Sequence, residues 1–162
     1  MRLLRKFTAL SSDERRLLVR ALLFASAIQL VLGRLPFTML RRIVVRDRGS
    51  VGHVAGTDPS FPDRVVWAVT VASRRAPGSA TCLSRALMVH AMLARRGYPS
   101  RLHIGVVRAR PRALEAHAWV EREGRILIGG TVSQIGEFTP LAAFGPETSH
   151  PRSAVESMRA GR

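Results

Sequence analysis

The sequence predicts an α+β fold in which helices come first and an antiparallel meander of strands follows, with one helix packed on the sheet. Three observations carry this. Apolar residues recur at helical spacing through Leu17, Leu18, Ala21, Leu22, Ala25, Ile28 and Leu32, and again through Leu83, Leu87, Ala91 and Ala94. From Ser100 the period drops to two. The strand-forming runs are then punctuated by Glu123-Gly124 and Gly129-Gly130. Helices segregated from strands in this way define the class.

Taken in order, residues 1–48 read as a basic helical segment. Ser11 or Ser12 followed by Asp13-Glu14 marks a helix start, and Gly33 and Pro36 mark its end. A second short helix is expected over Phe37–Val45. The pattern favours helices packed on the core or on a partner chain; the sharper alternative is peripheral contact with a membrane surface, since apolar and arginine faces coexist. Residues 49–62 form a linker rich in Gly and Pro, and its His53 is expected in a solvated loop. A helix over Asp63–Arg75 follows, with Val66, Trp67, Val69 and Thr70 on or near its inner face.

Residues 63–145 would make the core. Its central helix spans about Ala80 to Arg96, with Ser79 or Thr81 as N-cap, Gly97 as C′ residue and Pro99 barring continuation. The wide apolar band suits burial against a sheet, and His90 within it reads as a packed core histidine. Ser100–Val107 reads as a strand with Leu102, Ile104 and Val106 on the dry face and Arg101 and His103 on a wet one. Arg108–Arg112 is expected as a loop, Glu115–Glu121 as a strand and Arg125–Ile128 as the next. Past Thr131 the signal fades, with Phe138–Leu141 expected to cap the sheet and residues 146–162 to form a mobile tail.

The composition bounds the chemistry. The 162-residue chain carries 26 Lys+Arg against 11 Asp+Glu, a formal charge of +15, and Lys6 is its only lysine. Such a surface attracts anions. Stacking aromatics are sparse and no nucleic-acid motif appears, so a specific nucleic-acid partner is not expected. The single cysteine rules out an internal disulfide and fits a reducing compartment. Asp13-Glu14 interrupts any secretory pattern, and Arg20 and Gln29 break the apolar run, so a cytoplasmic location is expected. With one cysteine and no ligand-spaced His/Asp cluster, neither a metal nor another cofactor is expected.

That cysteine, Cys82, falls in the first turn of the central helix. Unpaired first-turn N–H groups and the helix dipole favour negative charge there, which stabilises a thiolate and offers donors to an oxyanion. A lone cysteine is more often a small buried hydrophobe. What separates Cys82 from that reading is its helix-start position together with His117, on a strand that can face it.

The stretches Ala80–Ala86, Leu93–Val106 and Ala116–Glu121 closely resemble the leader peptidases of lasso-peptide biosynthesis, which are small transglutaminase-like cysteine proteases. The resemblance covers about residues 15–130 and implies a transglutaminase-like or papain-like core, with Cys82 as nucleophile and His117 as general base. It implies cleavage of a ribosomally made precursor peptide at the end of its leader. The partners would be a small leader-binding recognition protein and an ATP-dependent cyclase similar to asparagine synthetase, which would close a macrolactam. In one respect the chain departs from the family pattern. The acid of the family's Cys-His-Asp triad is expected opposite the histidine, and a two-residue turn at Glu123-Gly124 would bring Gly129-Gly130 there. The orienting group is then a backbone carbonyl, a water or an acid from elsewhere. Glu121 is a poor geometric fit, and Glu137 and Asp63 stay open. Two other functions compete: acyl transfer to an amine on the same fold, and a non-catalytic basic binding protein.

Overall fold

The computed structural model describes residues 11–34, 57–74, 81–110 and 113–146. The expected helix over Phe37–Val45, His53 and the tail from residue 147 lie outside these residues.

Helix α1 (Ser12–Arg34) begins where the acidic pair placed it. Glu14 N–H donates to Ser11 Oγ at 3.2 Å, and Ser11 N–H donates to Glu14 Oε2 at 2.8 Å, a reciprocal capping box. These bonds hold the Glu14 carboxyl below its ordinary pKa. Leu17, Leu18 and Ala21 are buried. Helix α2 (Phe61–Ser73) starts two residues before the expected Asp63, because Pro62 is accommodated in a first turn whose N–H groups need no intrahelical partner.

Its buried face is only partly the expected one: Val69 is fully buried and Val66 packs on the core, but Trp67 does not belong to it. Val65, Ala68, Val69 and Ala72 are fully buried at i, i+3, i+4, i+7, while Trp67 is 38% exposed. The small residues of that stripe let α2 pack closely on its neighbours, and this outweighs burying one indole.

Helix α3 (Cys82–Ala94) is capped by Thr81, whose Oγ1 accepts from the Ser84 N–H at 3.2 Å. Nearly every residue from Ser84 to Leu93 is buried, and Leu93 is fully so. Truncating it to alanine would cost about 2–5 kcal/mol. His90 sits in the core as expected, its Nδ1 3.0 Å from Ser100 Oγ.

Four antiparallel strands form one sheet in the order β3-β2-β1-β4, with β1 Arg101–Arg110, β2 Ala113–Arg122, β3 Arg125–Ile128 and β4 Thr139–Phe144. This is the expected α+β arrangement. Strand β1 continues through Arg108 to Arg110, which pairs with Ala113, so most of the expected arginine loop is ladder. Backbone pairing decides this, since polar side chains are no obstacle at an exposed sheet end.

One face of the sheet carries Leu102, Ala118 and Val120 into the main core with the helices. The other face is not wet as expected. A short helix, α4 (Val132–Ile135), is held by a capping box between Thr131 and Gln134, and it lays Ile135 against Trp119 in a second cluster with Ile126 and Phe138. Beside it the rings of His103 and Trp119 stack at 5.2 Å, and His103 Nε2 lies 3.5 Å from Glu121 Oε2 with both side chains buried.

Candidate active site

Packing α3 on the sheet delivers its N-terminus to β2. Cys82 is half-buried there, its Sγ 4.0 Å from the carbonyl oxygen of Ala116, the residue just before His117. The structure therefore brings the sulfur to the backbone segment that carries the histidine. His117 is half-buried and stands opposite Gly105 in the β1–β2 register. Its ring packs on Phe138 with centroids 5.1 Å apart.

The group that orients His117 is Gly129. The turn at Glu123-Gly124 forms as expected, with Arg122 paired to Arg125, but the register shifts between Glu121 and Val120, so that Val120 faces Ile128. The strand ends there. Gly129 and Gly130, at φ 110° and 119°, turn the chain away, and the Gly129 carbonyl accepts a hydrogen bond from His117 Nε2. A carbonyl oxygen only accepts, so this bond places the proton on Nε2 and leaves the Nδ1 lone pair free as a base. No side chain fits at 129. A Cβ there would stand 2.5 Å from Trp119 Cβ and 2.7 Å from the Ala118 carbonyl oxygen. An aspartate at this position is therefore sterically barred, and the backbone supplies the acceptor instead.

The other carboxylates considered from the sequence lie elsewhere or point elsewhere. Asp63 pairs with Arg125 on the surface, and Glu121 pairs with His103. Glu137 does reach the site. It lines a cleft of about 580 Å³ whose walls are Arg85 on α3, His117 on β2 and the segment from Gly129 to Phe138. Cys82 is not among the residues that line it; it lies one helical turn before Arg85 on α3. Trp119, two residues beyond His117 on β2, is fully buried and stacks on His103, while the ring against His117 is Phe138.

Sequence reasoning missed Arg85, Ser133, Gln134 and Phe138 as cleft residues. The first could have been found as i+3 from Cys82, and the next two from the Thr131-x-x-Gln134 capping signature. Among the described residues, no three or more His, Cys, Asp or Glu side chains are grouped to hold a metal ion. No helix among them is long and apolar enough to cross a membrane.

A cysteine opening a helix that rests on an antiparallel sheet, with a histidine on the adjoining strand, is an arrangement suited to passing an acyl group through sulfur. Comparison with known families agrees. The family model described as the transglutaminase-like superfamily matches residues 17–143, and the chain belongs to that superfamily, whose members are generally cysteine-dependent proteases or transferases. No curated protein and no solved structure matches.

Proposed function

We propose that the protein is a cysteine peptidase that removes the leader from a ribosomally made lasso-peptide precursor, with Cys82 as nucleophile and His117 as base. The observation that carries the reading is the Nε2 bond to Gly129, which leaves Nδ1 as the basic nitrogen, together with a helix-start thiol brought to the backbone of Ala116, the residue before His117. The thiol proton passes to Nδ1, and the thiolate adds to the scissile carbonyl. First-turn N–H groups of α3 hold the oxyanion. The imidazolium returns its proton to the departing amine, leaving a thioester at Cys82. Water, deprotonated by Nδ1, then releases the leader carboxylate and restores the thiol.

In this reading the freed amine is the substrate of a separate ATP-dependent cyclase. A leader-binding protein presents the precursor, so the enzyme alone is slow. The +15 charge suits an acidic leader or recognition partner. No cofactor takes part.

The test is cleavage of a synthetic precursor in heavy-oxygen water, followed by mass spectrometry. One heavy oxygen in the leader's new carboxylate is expected. An amide at that position, formed from an added amine, would identify acyl transfer as the reaction. Full turnover by Cys82→Ala would remove the proposal altogether.

A further inference from the structure

The cleft beside His117 is lined by two charges of opposite sign, Arg85 from the helix that carries Cys82 and Glu137 from the segment after Gly129. Arg85 extends from α3 one turn after Cys82, and Glu137 immediately precedes Phe138, whose ring packs on His117. Neither side chain is in an ion pair among the described residues. The Arg85 Nε is shielded from solvent and has no hydrogen-bond partner there, an arrangement that costs free energy until an acceptor arrives.

Chemistry assigns the walls. The acyl part of the substrate remains bonded to sulfur after the amine departs, so it is held on the cysteine side. The amine takes its proton from the imidazole, so the leaving part lies on the histidine side.

We propose that Arg85 and Glu137 are opposite-sign specificity determinants. The cleft then prefers a peptide with an acidic side chain just before the scissile bond and a basic one just after it. This deepens the peptidase reading and rests on it, since the assignment of walls follows from the direction of acyl transfer.

The leaving-side preference is the discriminating one. A net charge of +15 by itself favours acidic residues at both positions. A preference for lysine after the bond therefore needs a local carboxylate.

The experiment uses full-length protein carrying Cys82→Ala and four fluorescein-labelled peptides of one length. They differ only in having Glu or Lys on either side of the bond, and binding is read by fluorescence anisotropy. Glu before and Lys after is expected to bind best, each position contributing about ten-fold in Kd, a factor that shrinks at high salt. Arg85→Glu reverses the acyl-side preference and leaves the other; Glu137→Lys does the converse. Arg85→Met and Glu137→Gln, with unchanged thermal midpoints, abolish each preference without reversing it. Equal binding of all four peptides, or preferences that these variants leave intact, overturns the proposal. Because binding needs no turnover, failure of the peptidase reading shows separately, as absent cleavage by the unmodified enzyme.

Discussion

Replacing Gly129 with alanine probes the orienting carbonyl and the packing behind it together. Two costs add. The backbone sits at φ 110°, a region that alanine enters at about 1–3 kcal/mol. The new methyl would also meet Trp119 Cβ at 2.5 Å and Ala118 O at 2.7 Å. Trp119 is fully buried and Ala118 O is backbone, so neither yields cheaply, and overpacking of this kind costs roughly another 1–3 kcal/mol. A loss of about 2–6 kcal/mol is a large share of the total stability of an ordinary domain. Relief comes by swinging residue 129 away from β2, which takes its carbonyl off His117. A misplacement of about 1 Å at a catalytic group can cost about a hundred-fold in rate. Urea unfolding gives the first number, and kcat on a cleavable precursor peptide gives the second. Gly124→Ala is the control. Its φ is also positive, at 76°, yet a Cβ there meets nothing within 4 Å. That variant is expected to lose a fraction of the stability and none of the activity. A Gly129→Ala protein with unaltered urea midpoint and kcat would refute both the packing and the orientation arguments.

Four further outcomes are expected. Cys82→Ala and His117→Ala each abolish precursor cleavage with the circular dichroism spectrum unchanged; retained turnover in either removes that residue from the chemistry. Glu121→Ala removes the carboxylate beside buried His103, so stability falls by about 1–3 kcal/mol while the folded fraction keeps its kcat, measured by urea titration and single-turnover cleavage. Thr81→Ala removes the cap of α3, costs about 1 kcal/mol, and slows iodoacetamide alkylation of Cys82 by loosening the first turn. The carboxyls of Glu14 and Asp58 are lowered by hydrogen bonds from Ser11 and Ser60 respectively. Both therefore bind protons more weakly folded than unfolded. Their contribution is complete above the unfolded values of 4.5 and 3.8 and is lost as pH falls through the folded ones, so urea midpoints drop on the acid side; Ser60→Ala flattens the Asp58 share of that drop, whereas Ser11→Ala keeps the backbone N–H bonded to Glu14 and changes it less.

The helix bearing Cys82 was legible because its cap, apolar band and stop signals agree, and Arg125–Ile128 because Glu123-Gly124 sets a short hairpin. The Trp67 error arose from choosing between two overlapping apolar faces of one helix, which close packing of small residues settles and hydropathy does not. His103 was misplaced because strand alternation reveals two faces but not what covers the second. The covering element, Val132–Ile135, is one turn long and too short for periodicity. The vacancy at the expected acid was visible as Gly129-Gly130. A backbone carbonyl was one of the acceptors left open, and the choice among them was not visible, since a carbonyl's direction depends on backbone dihedrals and on a register shift that residue types do not encode.

The way His117 is held has a kinetic consequence. An ionised acid would both aim the imidazole and neutralise the cation formed when it takes the thiol proton; an amide oxygen aims the ring and offers only a dipole. The same oxygen never ionises, so the acceptor itself does not change with pH. The ceiling on turnover then lies in charge separation at the ring, and a carboxylate side chain at residue 129 cannot raise it, because that position has no room for a Cβ.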